Sequence, residues 1–212
     1  MGGQTQQRDQ LLFVFDVGGV FIELNADRRR TALEAGGRWS GGSAPDAGLA
    51  EANMLFRLGR ISEGDYLDRV QHIYGLKIEQ VLAAETALLS GVLEEMASYV
   101  RQLRVAHRVV CLSNTQAIHW RHIIEELLGP EFFDACYLSH EMGMEKPAED
   151  IYLAVQEREN VSADQIIFVD DTLDNIHTSR RLGWNSIYHT TAAETISHIE
   201  QVLRQPTAAQ QL

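Results

Sequence analysis

Four places in this sequence carry side chains able to do chemistry together. Asp16 closes the apolar run Leu11 to Phe15 and is followed by Gly18 and Gly19; Ser113-Asn114 closes a run from Arg108; Asp170-Asp171 closes a run from Gln165; and Lys146 stands in the loop EMGMEKP. The two acidic places offer oxygen ligands to a hard divalent cation, and a hydroxyl and an ammonium beside it suit phosphate oxygens. Taken singly, each has a plain structural role: Asp16 as a turn former, Ser113 as a helix cap, Asp170-Asp171 as a helix start, Lys146 as surface. Their common meaning depends on whether the fold brings them together.

The elements between them say that it does. Leu11 to Phe15 is short, apolar and rich in Phe and Val, as expected of a strand buried on both faces. From Val92 onward, helical and strand patterns alternate, with strands at 108–113, 135–139, 165–169 and 185–189 and helices between them, the signature of βαβ units in a parallel sheet. The C-terminal ends of such strands lie along one edge, so residues distant in sequence converge there. The stretch 23–91 differs. It reads as helical throughout, with Asn25 and Ser62 as caps, and has no strong strand pattern. The predicted fold is therefore α/β: a Rossmann-like parallel sheet flanked by helices, formed by residues 1–22 and 92–212, with a helical unit inserted at 23–91.

Composition narrows the partners. The net charge is −12, with 18 Lys and Arg against 30 Asp and Glu, so a nucleic-acid surface is not expected. Small anionic substrates are repelled too, and a phosphate ester would need a local positive charge such as a divalent cation. No apolar run approaches membrane-spanning length and the first ten residues have no apolar core; a cytoplasmic protein, monomer or homodimer, with no membrane partner is expected. Cys111 and Cys136 fall in strand-like runs and are expected to be buried free thiols.

These motifs resemble those of the haloacid dehalogenase-like hydrolase superfamily, which is mostly Mg2+-dependent phosphatases. FDVGGV is similar to its first motif, VVCLSNT to its second, EKP to its third and FVDDTLDN to its fourth, and the helical insertion sits where the family places a small cap. RLGRISEGDYL, residues 57–67, also resembles a cap segment of the subgroup that includes bacterial α-D-glucose-1-phosphate phosphatase. The resemblance implies that Asp16 attacks phosphorus and becomes an aspartyl-phosphate, that Ser113 hydrogen-bonds the transferring group and that Lys146 offsets charge. It further implies a Mg2+ site made by Asp16, the Gly18 carbonyl and Asp171, with Asp170 alongside and Asn175 in support. Gly18, Gly19 and Asn114 are expected to contact the substrate, a small phosphorylated metabolite such as a sugar phosphate.

One position departs from the family. Most of its phosphatases carry Asp two residues after the nucleophile, as a general acid and base worth on the order of 10²–10⁴ in rate, and here that residue is Gly18. The glucose-1-phosphate subgroup is similar in tolerating Gly there. Two other readings stay open: a catalytically weak relative that binds a phosphorylated ligand or protein partner, and a metal-independent dehalogenase, against which Asp170-Asp171 counts. His119, His122 and Glu126 have helical metal-ligand spacing but sit on what reads as a solvated face. Arg28, Arg29 and Arg30 read as soluble surface near the cap hinge, or as an attractor of anions. Trp39, Phe56 and Tyr66 read as packing residues.

Overall fold

The computed structural model describes residues 11–35 and 45–204. The described residues begin with β1 (Leu12–Phe15), then form β2 (Ile22–Leu24), helices α1 (Ala26–Glu34), α2 (Pro45–Arg57), α3 (Glu63–Tyr74) and α4 (Ile78–Ala87), and β3 (Leu89–Val92). There follow α5 (Glu94–Leu103), β4 (Arg108–Ser113), α6 (Ala117–His122), β5 (Ala135–Leu138), α7 (Ser139–Met142), α8 (Glu149–Glu159), β6 (Ile166–Asp170), α9 (Leu173–Arg181), β7 (Asn185–Tyr188) and α10 (Ala192–Arg204).

Five of the strands make one parallel sheet in the order β5-β4-β1-β6-β7. β1 lies at its centre because all four of its residues can be buried. Phe13 and Phe15 pack on one face with Met96, Val100 and Ile199, and Leu12 and Val14 on the other with Ile151, Tyr152, Phe168 and Trp184. At roughly 1.5–3 kcal/mol for each large apolar side chain removed from water, the two layers drive the fold. In the register, Phe15 pairs with Cys111 on β4 and with Val169 on β6, which puts Asp16, Ser113 and Asp170 at one edge.

The inserted stretch is not wholly helical. β2 and β3 pair antiparallel, Ile22 with Val92 and Glu23 with Gly91, as a two-stranded ribbon where the chain leaves and re-enters the sheet. Three and four residues, with Ser90 and Gly91 among them, leave too weak a periodicity to register as strands. Further along, the helix expected between the strands at 108–113 and 135–139 is α-helical only over Ala117–His122 and continues as a π-helix over Ile123–Leu128. Cys111 is buried, but Cys136 is exposed: β5 is an edge strand, so its residues are covered on fewer sides. No helix among the described residues is long and apolar enough to cross a membrane. Trp39 lies outside the described residues, whereas Phe56 and Tyr66 are buried and stack with ring centroids 4.6 Å apart.

The caps form where expected. Asn25 Oδ1 accepts the Arg28 N–H at 2.9 Å, and Ser62 makes a reciprocal capping box with Asp65. One tie between helices α1–α4 and the rest, beside the apolar cluster that they share with Ile118, is a buried carboxylate. Glu85, fully buried on α4, accepts from Arg29 Nε and Nη2 at 2.9 and 2.8 Å, from the Tyr66 hydroxyl at 2.6 Å, and from Gln116 Nε2 at 3.0 Å. His119 Nε2 lies 3.0 Å from the same carboxylate. Arg29 is therefore part of an interior ion pair and not of the soluble surface, and His119 turns inward. Burial pushes the Glu85 carboxyl up, but the His119 hydrogen bond and the Arg29 guanidinium outweigh it and bring it down to about 2.

Glu85→Ala should therefore unfold at a markedly lower urea concentration. Removing one partner leaves a buried guanidinium uncompensated, at a cost of about 3–5 kcal/mol. Because the folded carboxyl titrates below its ordinary 4.5, its stabilisation is complete above that pH and is lost as pH falls toward 2. The variant should lack that part of the wild-type acid sensitivity.

Candidate functional site

Asp16 is held at the end of the central strand by its own N–H donating to the Val169 carbonyl at 2.8 Å, while the Val17 N–H donates to Asp16 Oδ1 at 2.7 Å. Lys146 reaches it from the loop between α7 and α8. Its Nζ sits 2.9 Å from Asp16 Oδ1 and 2.7 Å from Asp170 Oδ2, with both Lys146 and Asp170 buried. Asp170 also accepts the Thr172 N–H at 2.8 Å and the Asn175 amide at 2.9 and 3.0 Å. Both of its oxygens are thus engaged.

Burial pushes the Asp16 carboxyl up to about 6, with the charge of Asp170 adding to it and Lys146 opposing. Burial also raises Asp171, and Asp170 raises it further. Lys146 goes the other way: burial disfavours its charge, but Asp16 and Asp170 overcome that and hold it protonated. Three carboxylates gather at one ammonium, which pairs with Asp16 and Asp170, so the site carries an excess of two negative charges, costly where Asp16 and Asp170 are withdrawn from water.

That imbalance is what a divalent cation would remove, and the ligand set fits one. Oxygens of Asp16, Asp170 and Asp171 lie within 4.8 Å of one another. A hard cation with oxygens at about 2.0–2.1 Å would close that spread by small side-chain movements. All-oxygen ligands suit Mg2+. Among the described residues no other group of three or more His, Cys, Asp or Glu side chains converges in this way, so His119, His122 and Glu126 do not form a metal site.

The other expected residues fall as follows. Ser113 ends β4 and is 4% exposed, and among the described residues no hydrogen bond occupies its hydroxyl. Asn114 is exposed and also grips Lys146: its Nδ2 donates to the Lys146 carbonyl at 2.7 Å and its Oδ1 accepts the Lys146 N–H at 2.9 Å. Both ends of that amide fix the lysine's main chain, and each keeps a second donor or acceptor position open. Gly19 has φ +74°, and a Cβ there would overlap Asp171 Oδ2 and stand 2.8 Å from its Cγ. Only glycine allows this approach. Gly18 differs, since the nearest atom to its missing Cβ is Leu24 Cδ1 at 2.9 Å, on a side chain that is half exposed and free to swing away.

Ser139 is a site-supporting residue not anticipated from sequence. At the end of β5, its hydroxyl accepts the Thr115 N–H at 3.0 Å and so holds the turn after Ser113. The signal was present, since β5 too ends in a hydroxyl residue at the edge where the other strands end.

The family model described as hydrolase, haloacid dehalogenase-like hydrolase, matches residues 11–183. The chain is 24% identical over 204 residues to a D-ribitol-5-phosphate phosphatase of Bacteroides thetaiotaomicron, covering 90% of this chain and 97% of that protein. It is 25% identical over 196 residues to the sesquiterpene phosphatase astK of Aspergillus oryzae, covering 90% and 95%. A HAD family enzyme of Bacteroides thetaiotaomicron, solved with magnesium and inorganic phosphate, superposes with a TM-score of 0.76 at 24% identity, covering 90% of this chain and 98% of that one.

The two glycines make a paired test. Gly19→Ala should displace the Asp171 carboxylate and weaken Mg2+ binding by about tenfold or more, as changes beside a metal ligand do. Gly18→Ala should leave the affinity within about twofold, since only the Leu24 methyl must yield. Calorimetric titration of both variants with Mg2+ measures the difference.

Proposed function

Because the chain belongs to the haloacid dehalogenase-like hydrolase family, we propose that it is a Mg2+-dependent phosphatase of a small phosphorylated metabolite, working through an aspartyl-phosphate. The observation that carries this reading is Lys146 bridging Asp16 and Asp170 at 2.9 and 2.7 Å with Asp171 beside them. In our assignment residues 1–22 and 92–212 are the catalytic core and 23–91 the cap.

Asp16 is the nucleophile. Its carboxylate forms a bond to phosphorus as the bond from phosphorus to the alcohol oxygen breaks, and water then cleaves the acyl phosphate to return the carboxylate and release phosphate. Lys146 keeps Asp16 ionised and in place and offsets the charge gathering on the phosphoryl oxygens. The unoccupied hydroxyl of Ser113 donates to one of those oxygens. Asp170, with both oxygens engaged, fixes the ammonium and the start of the acidic loop. Asp16, Asp171 and the Gly18 carbonyl would hold Mg2+, with Asp170 alongside; bound there, the cation neutralises the acidic cluster and makes room for an anionic substrate.

Gly18 bears on the substrate. With no carboxyl beside Asp16 to protonate the leaving oxygen, the alcohol must depart largely unassisted, which favours esters of relatively acidic alcohols. Sugar 1-phosphates qualify, since the ring oxygen withdraws electrons from the anomeric oxygen. The same glycine favours a second reading, a slow enzyme that retains a phosphorylated ligand.

Asp16→Asn should lose turnover by about 10⁴-fold or more with an unchanged circular dichroism spectrum. Chelation with EDTA should abolish activity, and added Mg2+ should restore it to the wild type but not to Asp171→Ala. Phosphatase activity indifferent to either change would exclude this mechanism. For the leaving group, wild type should prefer glucose 1-phosphate to glucose 6-phosphate. Gly18→Asp, accommodated by movement of Leu24, should raise the 6-phosphate rate more than the 1-phosphate rate. The opposite order would show that Gly18 does not govern proton transfer to the leaving oxygen.

A further inference from the structure

Helix α2 ends against α7 and the loop that carries Lys146. The Arg57 guanidinium meets the Glu145 carboxylate twice, Nε to Oε2 at 2.5 Å and Nη2 to Oε1 at 3.2 Å. Glu145 is the residue before Lys146. The Arg57 carbonyl, for its part, lies 2.8 Å from the Ser139 hydroxyl, the group that accepts the Thr115 N–H two residues beyond Ser113. Two residues past Arg57, Gly59 has φ +63°, and a Cβ there would overlap the His140 carbonyl oxygen and stand 3.2 Å from its carbon. The end of α2 is thus seated against main chain, and Arg57 meets the loop of Lys146 directly and the turn after Ser113 through Ser139, whose hydroxyl also lies 2.9 Å from the Thr115 carbonyl.

Lys146 needs such support. Its ammonium must sit between the buried Asp170 and the partly buried Asp16, and its backbone is gripped on one side by the Asn114 amide. Among the described residues, the chain entering it from Gly143 has no comparable side-chain clamp except through Glu145. A displacement of about 1 Å in a reacting array can cost on the order of 10² in rate, so a modest loss of support has a readable effect.

We propose that the Arg57–Glu145 pair is the joint through which the cap sets the position of Lys146, making both positioning residues for phosphoryl transfer. The inference rests on the reading of Lys146 given above. It assigns α2 a part in the chemical step: when the cap is seated, Glu145 is held and the lysine is aligned, and when α2 lifts away that hold is released. A bidentate pair is suited to this because it fixes direction as well as distance. At 35% and 26% exposure its members are accessible enough to be changed without opening the core.

Acetyl phosphate separates this role from substrate contact, because its acyl group is too small to need a cap residue. Arg57→Gln and Glu145→Gln should each lower kcat on acetyl phosphate by roughly fivefold, with KM within about twofold, the scale expected of an accessible ion pair. Melting temperatures should stay close to wild type. The reversed pair, Arg57→Glu with Glu145→Arg, should recover most of the lost kcat. Wild-type kcat in both single variants, a loss confined to KM, or a reversed pair no better than the singles would each overturn the proposal. Asp16→Asn in the same assay keeps the outcomes apart. If it is inactive while the Arg57 and Glu145 variants are fully active, only the joint is wrong; if it turns over normally, the phosphatase mechanism fails first.

Discussion

Everything at the edge of the sheet is arranged around an ammonium that has no business in a protein interior. Burial alone would drive Lys146 toward neutrality, yet Asp16 and Asp170 keep it charged from two adjacent strands. Buried ion pairs of this kind contribute little net stability and are very costly to break halfway. Their presence therefore argues for chemistry rather than for folding. The requirement propagates outward: β1 and β6 must be neighbours in register, Asn114 must grip the lysine's main chain, and Asn175 must fill the remaining valence of Asp170.

A second buried charge does a different job. Glu85 collects partners from α1, α3 and α6 and ties the inserted helices to the turn that follows Ser113. Its partners satisfy it without leaving an excess of either sign to attract a ligand. The two centres flank the same short stretch, Ser113 to His119, so that stretch is specified from both ends by electrostatics, with little left to its own backbone preferences.

The parallel sheet was legible because its strands are apolar on both faces and are separated by helices of ordinary length, and the convergence of Asp16, Ser113 and Asp170 followed from that topology. Family motifs then identified the lysine, which no periodicity argument could have placed. What escaped were features whose cause is tertiary. The β2–β3 ribbon is too short to show alternation. Arg29 and His119 looked like solvated polar residues, since nothing local says that a carboxylate 34 or more positions away will be buried against them. The place of Asn114 beside Ser113 carries no hint that its amide will also grip the main chain of Lys146. Cys136 was mistaken for a core residue because an edge strand and an inner one have similar composition.

The ribbon of β2 and β3 bears on how the chain reaches this fold. β1 is made first, yet its sheet partners β4 and β6 come much later, so the centre of the sheet must wait for long-range pairing, the slow kind. Pairing Ile22 with Val92 brings the two ends of the inserted helices together and lets the path from β1 to β4 bypass them. By the logarithmic dependence of loop closure on length, a roughly fourfold shorter path lowers the entropic cost of that pairing by about 1 kcal/mol. Three residues of β2 thus move the entropic cost of closing the helical insertion from the sheet to the ribbon, so the length of the insertion bears on the pairing of β2 with β3 more than on that of β1 with β4.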